Sequence, residues 1–160
     1  MSKLSFITAN ARSLAPKMNS LIAHFTELEL QFALISESWL KDCPALENDK
    51  VDLEAGQGLK MILNNRKSRR NKTAGGGVAI VYDENKIRLR EWKRRKSKSE
   101  IVCARGKLPG LKREILIISI YVPPKIKAKQ TGKFMEELNR IIAINKEEMC
   151  DPNNYSRRGH

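Results

Sequence analysis

Two short apolar runs, LSFITAN (4–10) and QFALISESWL (31–40), bracket one stretch whose apolar residues recur at helical spacing. Met18, Leu21, Ile22, Phe25 and Leu28 fall on one side of a 3.6-residue turn, so the stretch is expected to be a helix with a buried face. The flanking runs are β-prone and lack helical spacing, and each reads as a buried strand. Strand, helix and strand within about forty residues make a parallel crossover unit, which commits the chain to an α/β fold.

The pattern then changes. LKMILNN, GVAIVYD, KIRLREW, EIVCARGKL and EILIISIYV read as strands, and in KIRLREW Ile87 and Leu89 alternate with Arg88 and Arg90 as on a half-exposed strand. Pro109 and Gly110 supply a turn between the last two, and Pro123-Pro124 ends the series. Short connections predict antiparallel pairing of consecutive strands. TGKFMEELNRIIAINKEEM then places Phe134, Leu138, Ile141, Ile142 and Asn145 on one stripe, a helix expected to pack on a sheet. The whole predicts a mixed sheet in a layered α/β sandwich, with no internal repeat.

Charge narrows the partner. Thirty-one Lys and Arg against 18 Asp and Glu leave a formal +13, which suits a polyanion such as nucleic acid. No basic amphipathic helix favours a membrane surface, no apolar run is long enough to cross a bilayer, and no apolar leader opens the chain, so an intracellular protein is expected. Two loops concentrate the charge: Arg66, Lys67, Arg69, Arg70 and Lys72 in one, Lys93, Arg94, Arg95 and Lys96 in the other. Such clusters suit sequence-independent contacts to a phosphate backbone, and the two are expected to share one basic face. Gly75-Gly76-Gly77 lacks the Gly-Lys-Ser/Thr ending of a phosphate loop and precedes a strand, so it is expected to turn the first basic loop tightly into VAIVY. Asp83 and Glu84 are expected to be solvated turn residues. Cys43, Cys103 and Cys150 have no metal-ligand spacing and form no disulfide framework.

Three polar residues stand where strongly apolar strands end: Asn10 after LSFITA, Glu37 after FALIS and Tyr121 after EILIISI. Strand ends are where α/β sheets collect ligand sites. A carboxylate there can hold a hard divalent cation, an amide can fix a phosphate oxygen, and a phenol can hydrogen-bond a scissile phosphate.

FITANARSL, LISESWL, GGGVAIVY and ISIYVPP, in this order, resemble the endonuclease domain of non-LTR (LINE-type) retrotransposons, within the endonuclease/exonuclease/phosphatase superfamily. The likeness runs from about residue 4 to 150 and implies the N-terminal portion of a four-layer α/β sandwich, residues 1–152, with mixed sheets and flanking helices. It also implies Mg²⁺-dependent nicking of DNA, in the nucleus. By the same resemblance Glu37 is the metal-binding carboxylate, Asn10 an amide near metal and phosphate, and Tyr121 an active-site tyrosine on the phosphate. Arg12 departs from the acidic residue that some repair enzymes carry there.

The family's later Asp-x-Asn and Ser-Asp-His segments, which supply the base and a phosphate contact, have no counterpart. His24 lies on a helix, His160 ends the sequence, and Asp151–Asn153 lacks the apolar strand that should present it. The expectation is an incomplete domain with trace activity at best, since those groups lower the barrier by several kcal/mol (order of magnitude). One permitted choice of codons for NNYSRRGH, read one nucleotide on, gives Ile-Ile-Ile-Val-Gly-Gly-Asp, so 153–160 is expected to be an aberrant, frameshifted tail. Two other functions fit: a non-catalytic basic nucleic-acid-binding module, or an interaction module whose exposed sheet a protein partner covers. The second follows if most of the second sheet belongs to the absent half, leaving an apolar face bare.

Overall fold

A computed structural model of the chain describes residues 4–40, 51–52, 58–64, 76–92, 100–108, 110–111, 113–123 and 128–150. These fall in two compact units, residues 1–122 and 123–160. The tail at 151–160 and all the residues of both basic clusters lie outside the described residues.

The first unit opens with strand β1 (Phe6–Asn10), a single 3-10 turn (Ala15–Lys17), helix α1 (Met18–Glu27) and strand β2 (Phe32–Ser36). Strands β3 (Val51–Asp52), β4 (Leu59–Asn64), β5 (Val78–Asp83), β6 (Arg88–Glu91), β7 (Glu100–Lys107) and β8 (Ile115–Tyr121) follow. Fold class is α/β, as the opening crossover unit demands. β1 and β2 pair in parallel with Asn10 opposite Ser36. They belong to a five-stranded sheet of order β1-β2-β5-β4-β3, and β6-β7-β8 form a second, antiparallel sheet.

Period-two alternation along the strands sorts the core into two clusters. On one face of the first sheet, Ala33, Ile35, Leu59, Met61, Ala79 and Val81 pack with Leu21 and Phe25 of α1. On its other face, Phe32, Ile62, Val78, Ile80 and Tyr82 pack with Leu89, Val102, Ala104 and Ile117 of the second sheet. The first unit is therefore a stack of α1, sheet and sheet. β5 is central, buried on both faces from Val78 to Tyr82.

Two expectations change here. Consecutive strands do not all pair: β5 is flanked by β2 and β4 and has no free edge, so β6 must join another sheet. The turn between them is helical in character, with Lys86 and Ile87 N–H both donating to Asp83 C=O (3.0 and 2.9 Å), and it aims the chain off the first sheet. Consequently the chain itself covers the first sheet's inner face, which the sequence led one to expect bare. Tyr82 Oη donates to Leu89 C=O across the two sheets at 3.3 Å. Glu84 is an exposed turn residue, as expected, and is ion-paired with Lys60, whereas Asp83 is the last residue of β5, its side chain mostly buried and ion-paired with Lys86.

The second unit contains helix α2 (Ala128–Cys150), which starts three residues before the Thr131 that the apolar stripe suggested. Gly132 is accommodated inside it.

Candidate functional site

Register brings one set of strand ends together. Asn10 is opposite Ser36, Ser36 opposite Val78, and Val78 opposite Asn64. Tyr121 is opposite Glu100 in the second sheet. The two sheets are tied at this end, where the Asn64 side-chain amide donates to Ile101 C=O at 2.8 Å.

Beyond the last regular pairs, the chain after β1 and the chain after β2 keep a backbone ladder. Ala11 N–H donates to Ser36 C=O (2.9 Å), Ser13 N–H to Glu37 C=O (3.0 Å) and Leu14 N–H to Ser38 C=O (2.8 Å). On the other side, Ser38 N–H donates to Gly77 C=O (3.2 Å) and Trp39 N–H to Gly76 C=O (3.1 Å). Held from both sides, Glu37 adopts φ +51°, with Arg12 at +42°, Ser13 at +83° and Trp39 at +50°. Four of the five non-glycine residues with positive φ among the described residues are in these two segments. Such conformations cost on the order of 1–3 kcal/mol each and persist where surroundings over-determine them, as this double ladder does.

Glu37 is the centre. Tyr121 Oη donates to its Oε1 at 2.6 Å, a short charge-assisted bond from one sheet to the other. The Asn10 side chain is its second hydrogen-bond partner. Asn10 Oδ1 accepts from Arg12 N–H at 3.3 Å, which leaves the amide NH₂ to face the carboxylate. The Tyr121 hydroxyl first, then Asn10, and then the Arg12 guanidinium hold the Glu37 carboxyl below the usual range, against an opposing contribution from burial. Glu37 is thus ionised at neutral pH.

The three residues singled out in the sequence therefore meet at one point, although they come from β1, the segment after β2, and β8. The nine basic residues Arg66, Lys67, Arg69, Arg70, Lys72, Lys93, Arg94, Arg95 and Lys96 lie outside the described residues. Of the described residues that flank them, Asn64, Gly76 and Glu100 are at this same end of the sheets, whereas Trp92 bonds Cys103 C=O in the middle of β7.

Sequence reasoning missed three parts of the site. Arg12, which the motif comparison set aside, supplies positive charge to Glu37. The strained loops carry no signal in residue type. Glu100 is buried at 9% exposure and its Oε2 accepts Gly77 N–H at 2.7 Å. It shares the inward face of β7 with Val102 and Ala104, but every residue from Glu100 to Gly106 is buried, so no alternation in the sequence singles it out.

Among the described residues there is no group of three or more His, Cys, Asp and Glu placed to hold a metal ion. No helix among them is long and apolar enough to cross a membrane. In comparisons with known proteins, no family model matches the chain and no curated protein matches it.

Proposed function

We propose that this end of the two sheets engages nucleic-acid phosphodiesters together with a divalent cation, as a site of the Mg²⁺-dependent DNA endonuclease type. The observation that carries the reading is the convergence of Asn10, Glu37 and Tyr121 through the 2.6 Å bond from Tyr121 to Glu37. Residues 10, 37 and 121 are far apart in sequence, and neither helix packing nor sheet pairing requires a carboxylate, an amide and a phenol to meet.

The donor set suits Mg²⁺, which keeps much of its water and is commonly held by one or two carboxylates plus substrate phosphate. Glu37, ionised and half-buried, would be the protein ligand, with Asn10 beside it. Bound there, the ion supplies Lewis-acid stabilisation of charge on phosphate oxygens. Tyr121 and Asn10 fix the carboxylate in one orientation, and the second N–H of the Asn10 amide offers a donor to a phosphate oxygen. Positive charge from Arg12, within a chain of formal charge +13, draws the backbone of the polyanion towards them. Besides Glu37, the converging residues are an amide and a phenol, with no second carboxylate or imidazole to act as general base, so hydrolysis is expected at trace level while binding persists.

The test uses supercoiled plasmid with Mg²⁺ and Mn²⁺ titrations of wild-type chain beside Glu37→Ala. Expected are salt-sensitive DNA binding in both proteins, and Mn²⁺ binding with faint nicking in wild type alone. A wild-type chain that binds neither DNA nor Mn²⁺ sinks the reading. DNA binding with no Mn²⁺ binding would leave the second reading, a non-catalytic binding module, in its place.

A further inference from the structure

Glu100 begins β7 on the inward face that it shares with the apolar Val102 and Ala104. A buried carboxylate is costly to keep unless it is hydrogen-bonded. Its Oε2 takes the Gly77 N–H at 2.7 Å, and a Cβ added at Gly76 would lie 2.5 Å from the same oxygen. Gly76 and Gly77 both have left-handed φ, +85° and +84°. This conformation turns their carbonyls towards the segment after β2, where Gly77 C=O takes Ser38 N–H and Gly76 C=O takes Trp39 N–H. Ser38 itself is fully buried, so the segment has no freedom to settle elsewhere.

We propose that Glu100 is a positioning residue for Glu37: its carboxylate fixes the Gly76-Gly77 turn, and that turn clamps the strained backbone on the C-terminal side of Glu37. The function of the clamp rests on the phosphodiester reading above, but the clamp itself does not. Glu37 is held on its other side by the ladder to Ser13, so its φ of +51° depends on both.

Two variants separate reach from charge. Glu100→Gln keeps an acceptor oxygen at the same distance, whereas Glu100→Asp keeps the charge and withdraws it by one methylene. Backbone amide hydrogen exchange is read at Gly77, Ser38 and Trp39, with Ile80 and Val81 of β5 as internal reference, and Mn²⁺ affinity is measured on the same samples. Glu100→Asp should lose about tenfold or more of the protection at the three amides, leave β5 within about twofold, and weaken Mn²⁺ binding about tenfold, the scale typical of lost outer support around a metal ligand. Glu100→Gln should stay within about twofold of wild type throughout. Unchanged exchange in Glu100→Asp, equal loss at β5, a failure of that variant to fold, or equal damage by Gln each overturns the proposal. If wild type binds no Mn²⁺, the phosphodiester reading fails while the exchange measurement still decides the role of Glu100.

Discussion

Replacing Gly76 by Ala tests the link between the glycine turn and the carboxylate behind it. Gly76 has φ +85°, and an added Cβ would lie 2.5 Å from Glu100 Oε2 and 2.8 Å from Oε1. The left-handed conformation alone costs alanine about 1 kcal/mol. The clash is with the end of a flexible side chain, so the carboxylate can move, but only by leaving the Gly77 N–H it accepts at 2.7 Å. Losing a hydrogen bond to a charged group costs roughly 1.5–3 kcal/mol, giving about 2.5–4 kcal/mol together. In a chain of this size that lowers Tm by roughly 10 °C. Urea unfolding of Gly76→Ala and Gly132→Ala measures it. Gly132 is helical, nothing lies within 4 Å of its Cβ position, and its replacement should stabilise by roughly 0.5–1 kcal/mol. If Gly76→Ala costs under about 1 kcal/mol, or the two variants shift the same way, Glu100 is not the wall behind this turn.

Tyr121→Phe removes the largest influence on Glu37, so its carboxyl should titrate closer to the ordinary glutamate range, which carbon-detected NMR of the side chain can follow. Because the folded value is lowered, the stability Glu37 contributes is present above its unfolded pKa and is lost as pH falls through the folded one. The variant should therefore lose that contribution at a higher pH than wild type, and an unmoved titration would remove Tyr121 from the site. Ile80→Ala, at a fully buried position between the sheets, should cost about 2–5 kcal/mol in chemical denaturation. A cost below about 1 kcal/mol would mean that the sheets are not closely packed there.

Much of this arrangement was legible because apolar period and strand-end polarity are local properties. Phe32–Ser36 with Phe6–Asn10 and the helix between them announced a parallel pair, and Glu37 and Asn10 were visible as polar residues closing apolar strands. Tyr121 was equally visible, but its distance from Glu37 was not, because that depends on which sheet β8 joins. The division of the strands between β5 and β6 is set by competition for edges, which no single segment records. β3 is two residues long and leaves no period to read. Glu100 was hidden for a different reason: a carboxylate beside a basic run looks solvated until the register with Tyr121 turns it inward.

The bond from Tyr121 to Glu37 has one anchor in each sheet. Together with Asn64 to Ile101 and Gly77 to Glu100, it makes this end of the stack a clasp whose halves lie far apart along the chain. Strands can survive when such a clasp opens, because their ladders run within each sheet and not between the two. In mild acid or low denaturant, a loosened state with its backbone structure intact would already have no site. Circular dichroism in the far ultraviolet would report a folded protein, while a ligand would find Glu37 on one slab and Tyr121 on another.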